Sequence, residues 1–344
     1  MTARGPEGLG PDSEAGFVVP YVLMVVFILA LIIIGTADRI RAATDRLIAI
    51  ESAQTDAALL HDMKTTLTYA WLTSSPSDAG FDLNGNLSGD AALFTTLARQ
   101  GEPGEVQIWS PDGSWMQSGS AWISVRDASG LFGLRAGPSG TLEEILLATT
   151  DGMTRPEARQ LAARLADYQD GDDNRRLMGA EPTDYRRARK PAPANRPLRD
   201  LPELWNVLSW DDARPSLDTW SFLSLVSAGS AEAVIREAYA HPSLAQFVEA
   251  SAQDNTDLFA TPTSTTLPSR GLRLTLALPT DAQDARVLAV DLMREANGLE
   301  RPWQSFPVFE GTVSRDLLFD GGAADAAQMP ARLRELLSAE TGSR

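Results

Sequence analysis

From Phe17 to Gly35 the chain runs Phe-Val-Val-Pro-Tyr-Val-Leu-Met-Val-Val-Phe-Ile-Leu-Ala-Leu-Ile-Ile-Ile-Gly, about 19 positions without a charge, close to the roughly 20 a helix needs to cross a bilayer core. A membrane span is predicted. A removable secretory signal competes with this reading, but its apolar core normally covers ~7–15 residues and ends at a small-x-small site. Here Gly35-Thr36-Ala37 and then Asp38 follow. From Asp38 to about Trp71 there is neither proline nor glycine. Ile40, Ala43, Leu47, Ile50, Ala57 and Leu60 recur mostly at three- and four-residue steps, and Leu67 and Trp71 extend the stripe. Asp38, Arg39, Arg41, Asp45, Arg46, Glu51 and Asp56 fill the other faces. One helix from about Val22 to Leu72 would then be roughly 75 Å long at ~1.5 Å per residue. The stripe also suits a linker helix that pairs with a partner helix below a sensor domain.

Past this helix the pattern changes to short alternations among Gly, Ser, Asp and Asn, such as Val106–Trp109 and Trp122–Val125, which read as strands. Pro111-Asp112-Gly113 between Trp109 and Trp115 predicts a hairpin turn. From Thr141, a candidate cap followed by Glu143 and Glu144, the rhythm becomes helical, with Leu142, Ile145, Leu146 and Leu147 facing a core. A second helix begins near Arg155-Pro156, its apolar face formed by Ala158, Leu161, Ala162, Leu165 and Ala166. Residues 186–196 form a basic, proline-bearing loop that offsets the acids before it. Residues 231–240 and 243–250 are short helical candidates, and 254–269 a polar linker. Leu272–Leu278 alternates most cleanly as a strand, with 285–293 and 308–313 as antiparallel neighbours, and a last helix covers 331–337. The fold class expected is α+β: a long N-terminal transmembrane helix and an antiparallel sheet interrupted by a helical insertion.

Composition narrows the function. Apolar residues make up 43% and charged residues 22% of 344, so most of the chain is ordinary globular material. A net charge of -16 argues against a nucleic-acid partner, since phosphate contacts need a basic face. Cysteine is absent, which removes disulfide and zinc-thiolate chemistry. The two histidines, His61 and His241, read as plain surface residues, and the sequence has no Gly-x-Ser-x-Gly elbow and no phosphate loop. A non-enzyme with no catalytic residues is expected.

The best candidate for a ligand is the acidic group Asp167, Asp170, Asp172, Asp173, Glu181 and Asp184. Calcium takes six to eight hard oxygens and accepts irregular loops. The spacing departs from the EF-hand pattern, so a solvated acidic loop at a helix end is the other reading.

Four stretches carry a family resemblance. Glu14-Ala15-Gly16-Phe17 before the apolar run is similar to a prepilin peptidase site, with cleavage between Gly16 and Phe17. Tyr21 stands where most pilins have glutamate. Asp167-Tyr168-Gln169-Asp170-Gly171-Asp172, Gly179-Ala180-Glu181 and Asn195-Arg196-Pro197, followed by a short helix at Leu201–Val207, come in one order. Ala121–Leu134 is similar to the strand-turn that leads into such a domain, with Gly133 and Leu134 in place of asparagines. Together they resemble the K-type minor pseudopilin of bacterial type II secretion systems, a divergent member, for the Asn-Val-Asn-Thr-Ala element that usually follows the helical domain is missing.

The resemblance implies a leader at 1–16, a transmembrane segment at 17–36 and a periplasmic continuation of the helix at 37–73. It implies a first part of a pilin-like sheet at 74–140, a helical insertion domain at 141–265, and remaining strands with a C-terminal helix at 266–344. It further implies an inner-membrane protein with a periplasmic globular part, processed by prepilin peptidase, capping the pseudopilus tip with I-type and J-type minor pseudopilins, and it adds to the calcium reading. Arg39, Arg41 and Arg46 oppose that topology, because positive charge favours the cytoplasmic side. A single-span periplasmic sensor or binding domain with a coiled linker is the alternative.

Overall fold

The structure is a computed structural model that describes residues 18–77, 79–83, 107–228, 235–247, 259–260, 268–294, 303–319 and 329–341. The chain divides into two units, residues 1–58 and 59–344. The leader and the Gly16-Phe17 junction lie outside the described residues, as does most of the 254–269 linker.

Helix α1 spans Val18–Thr73. Among the described residues it is the one helix long and apolar enough to cross a membrane. In the first unit its apolar side chains from Tyr21 to Ile34 are exposed, and so are Ile40, Leu47 and Ile50 of the predicted stripe. In the second unit the same stripe is buried: Leu60, Leu67 and Trp71 join the core.

The second unit is built on an antiparallel sheet. The short strands β1 (Ser75–Ser77), β2 (Gly80–Asp82) and β3 (Ile108–Trp109) form a small sheet of their own. The main sheet contains β4 (Asp112–Ser118) and β5 (Ala121–Asp127), followed in the chain by the two-residue strand β6 (Phe132–Gly133), which pairs elsewhere. Its other strands are β10 (Gly271–Pro279), β11 (Asp284–Arg294) and β12 (Trp303–Ser314), in the spatial order β12-β11-β10-β5-β4. Between them in sequence come β7 (Val226–Ser227), parallel to β6, and the parallel pair β8 (Ile235–Arg236) and β9 (Phe259–Ala260).

Alternation along β10 decides both layers. Leu272, Leu274, Leu276 and Leu278 join Ile123, Val125, Leu288 and Leu292, the buried part of α1, and Leu333 and Leu337 of the C-terminal helix Ala331–Thr341. Ala277 joins Val287, Ala289 and Val308 in a second cluster with the helices that follow β6. The strand is central and covered on both faces, so its polar positions, Arg273 and Thr275, are buried as well.

Those helices are α2 (Ser139–Thr149), α3 (Arg155–Gln169), α4 (Pro182–Arg187), α5 (Trp210–Ala213) and α6 (Thr219–Leu225), with a 3-10 turn at Leu201–Asn206. Pro156 occupies the first turn of α3, and Glu157 Oε2 accepts from the Thr154 backbone N–H at 2.8 Å and its hydroxyl at 2.7 Å. The Glu157 side chain thus satisfies the Thr154 N–H at the helix start and fixes its hydroxyl.

Three expectations are corrected. The Pro111-Asp112-Gly113 element is not a hairpin turn. Asp112 Oδ1 accepts from the Ser114 N–H at 2.8 Å and Gly113 takes φ +84, which makes a bulge inside β4; Trp109 pairs with Phe81 instead, and the chain reverses after Ser118, where Gly119 takes φ +60. Helix α2 starts two residues before Thr141, after Pro138, and buries Thr141 within it. The segment from 235 is not α-helical: Ile235–Arg236 is a strand that pairs with Phe259–Ala260, and Glu237–Tyr239 and Pro242–Phe247 are 3-10 helices, while 231–234 and 248–250 lie outside the described residues.

Candidate functional site

The C-terminal turn of α3 fixes the first acid. Asp167 lies between the buried Leu165 and Tyr168 and is itself fully buried. The Arg176 backbone N–H points at both its oxygens, at 3.2 and 3.4 Å, and Arg176 Nη1 donates to Oδ1 at 2.8 Å. The same guanidinium reaches Asp170, the residue that ends the helix. One cation therefore draws two carboxylates together, and the loop 171–176 folds back over the helix end.

Gly179 explains the next motif. A Cβ there would stand 1.9 Å from Asp167 Oδ2, so only glycine lets the loop pass the buried carboxylate. Ala180 and Glu181 are then drawn inside. Among the described residues neither Glu181 oxygen has a hydrogen-bond partner, and Asp170 Oδ1 and Asn195 Oδ1 are likewise buried and unpartnered. Burial, and after it the charges of Asp167, Asp170, Asp173 and Asp172, push the Glu181 carboxyl up to about 7.

Asn195 ties the third motif to the same place. Its backbone N–H donates to Tyr168 O at 3.0 Å and its amide to Asp173 Oδ1 at 3.4 Å. Arg196 grips Glu203 with two bonds, 2.6 and 3.0 Å, while the Tyr168 hydroxyl donates to Glu203 Oε1 at 3.1 Å. Burial works to raise the Glu203 carboxyl, but Arg196, the Arg199 N–H and Tyr168 outweigh it and hold the group below its ordinary value. Burial and the Glu203 charge push the Tyr168 phenol up to about 12.

Of the six predicted acids, Asp167 and Asp170 share Arg176, Glu181 feels their charges, and Asp173 accepts from Asn195. Asp172 accepts from the Asn174 N–H at 2.7 Å. Asp184 turns elsewhere: it accepts from the Glu181 N–H at 3.2 Å and faces Arg187 at 3.4 Å and Arg175 at 3.6 Å. Among the described residues no three His, Asp or Glu side chains converge as a metal-ligating group. The donor chemistry suits a hard cation, since four buried oxygens of Asp170, Glu181 and Asn195 lack donors among the described residues. The obstacle is Arg176, which stands between Asp167 and Asp170 as the local counter-cation. Sequence reading missed both Arg176 and Glu203; only the pairing of acids with bases six to nine residues away could have suggested them.

A second concavity, of about 530 Å³, lies where Arg126, Arg273, His241 and Trp220 meet. Its cations are already engaged: Arg126 donates to Tyr239 O and Ala240 O, both at 2.8 Å, and Arg273 pairs with Asp291. His61 is exposed as expected, but His241 is not a surface residue; it is half-buried against this cleft. Burial, then the nearby Arg126 and Arg273 charges, push it down to about 3. An imidazole that weak is a poor base near neutral pH.

Comparison with known proteins bears on the acidic loop directly. Residues 143–214 match the family model described as type II secretion system (T2SS), protein K. No curated protein matches the chain. Among solved structures, the chain is similar to one from the GspK-GspI-GspJ complex of the enterotoxigenic Escherichia coli type 2 secretion system, at 15% identity and a TM-score of 0.39, over 76% of this chain and 98% of that one. A likeness of that degree carries no argument.

Proposed function

We infer that the chain is a K-type minor pseudopilin of a type II secretion system, a subunit that binds rather than catalyses. One observation carries this: the segment that matches the protein K family, residues 143–214, is the one whose motifs close on each other around Asp167, Gly179 and Asn195. The α+β fold and the long apolar helix Val18–Thr73 agree with a membrane-anchored subunit of this kind.

The finer reading follows from the family. Prepilin peptidase removes residues 1–16 and leaves Phe17 as the first residue. The helix beyond packs with I-type and J-type minor pseudopilins, the globular part faces the periplasm at the inner membrane, and the K-type domain caps the tip. Intact mass and N-terminal sequence of membrane-extracted protein, expressed with and without the peptidase, test this. A peptidase-dependent N-terminus at Phe17 is expected; an uncut Met1 chain in both strains overturns the pilin reading and favours a single-span sensor.

Calcium belongs to the same proposal. Asp170, Glu181 and Asn195 offer unpartnered oxygens beside Asp167, and a bound divalent cation would neutralise acids that one guanidinium does not. Arg176 must then swing away from Asp170. Calcium is expected to raise the melting temperature and chelation to lower it, with a larger response in Arg176→Ala. A melting temperature indifferent to chelation in both proteins removes calcium from the reading.

A further inference from the structure

A different cleft, of about 540 Å³, opens on the far side of the Arg175–Ala180 segment, between α3 and α4. Three arginines line it: Arg164 from α3, Arg175 from the loop and Arg187 from α4, against one carboxylate, Asp184. Asp184 meets two of them only at 3.4 and 3.6 Å, where a full ion-pair hydrogen bond is shorter. Arg164 donates through Nη1 to Ser209 Oγ, while its buried Nε–H has no acceptor among the described residues. The cleft thus carries surplus positive charge and an unused donor. Met178, Ala188 and Leu208 supply apolar wall, and the exposed Arg186 and Arg189 continue the basic surface along α4 and its exit. A patch of this sign is out of character for a chain of net charge -16.

We propose that this cleft docks a glutamate side chain from an acidic segment of a partner protein, the carboxylate bridging Arg164 and Arg187 and the methylenes lying on Met178 and Leu208. Guanidinium forks recognise carboxylates in pairs, and the apolar wall fits the glutamate stem. A phosphate polymer is the poorer occupant: it has no methylene stem to lie on Met178 and Leu208, and its further charges would meet Asp172 and Asp173, exposed on the adjoining loop. Asp184 acts as the resident competitor, holding the arginines in place until a partner carboxylate displaces it. The proposal does not depend on the K-type reading.

The test uses the full chain in detergent micelles and a fluorescein-labelled tetraglutamate peptide, read by anisotropy. Arg164→Gln and Arg187→Gln are each expected to weaken binding about tenfold, a charge-assisted contact's worth, and Asp184→Asn to tighten it several-fold. The Arg187 side chain is 76% exposed, so its variant keeps the fold; an unchanged melting temperature checks this. Tetraglutamine should not bind. Equal binding by wild type and Arg187→Gln overturns the proposal, and so does displacement of the peptide by equimolar inorganic phosphate or by phosphatidylglycerol vesicles.

Discussion

Gly179 passes so close to Asp167 that a Cβ on the glycine would stand 1.9 Å from the carboxylate Oδ2, although the two are a helix end and a loop apart. The contact is what makes the acidic stretch a folded loop, because Asp167 is fully buried and cannot retreat into solvent.

Gly179→Ala should therefore destabilise the second unit by about 1–3 kcal/mol, the usual cost of forcing an extra carbon into a packed place. Urea unfolding of the variant measures it. An alanine variant as stable as the wild type would mean the loop has room it does not show here.

Glu181 gives the protein a pH dependence of unusual sign. Folded, it holds its proton up to about 7; unfolded, it lets go near the ordinary 4.5. Between those values the folded state binds more protons, so stability falls as pH rises through the window. Glu181→Gln should melt higher than wild type at pH 8 and alike near pH 4, measured by thermal scans without divalent cations.

His241 acts in the opposite direction. Its imidazole stays neutral in the folded state down to about 3, whereas an unfolded histidine takes a proton near 6.5. Stability is therefore lost as pH falls from 6.5 toward 3. His241→Gln should lose less stability than wild type between pH 7 and 4.5, and chemical denaturation at the two pH values gives the comparison.

Arg273 and Asp291 face each other across β10 and β11 and pair through two bonds, 2.7 and 2.8 Å, both side chains buried. Arg273 also donates to Leu223 O and, at 2.9 Å, to Val226 O, so the pair fastens α6 to the sheet. Arg273→Leu should cost about 3–5 kcal/mol by leaving a buried carboxylate alone. The double variant Arg273→Leu, Asp291→Leu should regain much of that. A double-mutant cycle with no coupling would show that the pair is not what holds the helix.

A smaller clasp holds the end of α1. Arg294 lies 4.6 Å over the Trp71 ring and donates to the Trp71 carbonyl, with Phe81 edge-on to the same indole at 6.4 Å.

What the sequence by itself determined was whatever depends on neighbours a few residues away. The uncharged run after Phe17, the proline-free helix to Trp71, the alternation of Leu272–Leu278 and the Arg155-Pro156 start of α3 all express local periodicity or first-turn preference, and each sits where its pattern puts it. The three motifs around Asp167, Gly179 and Asn195 were legible as an ordered set too. Their joining was decided by tertiary structure alone. Whether Gly113 turns the chain or bulges a strand depends on what Trp109 pairs with, and the bulge lies against Arg126 of the neighbouring strand. Whether six acids share one place depends on which arginine reaches them: Arg176 gathers Asp167 and Asp170, while Arg175 and Arg187 keep Asp184 on the other side of the loop. His241 shows the same limit, since its surroundings come from β5 and β10, more than thirty residues away on the nearer side. Charge and burial act through space, and a one-dimensional pattern records only the part of space that lies along the chain.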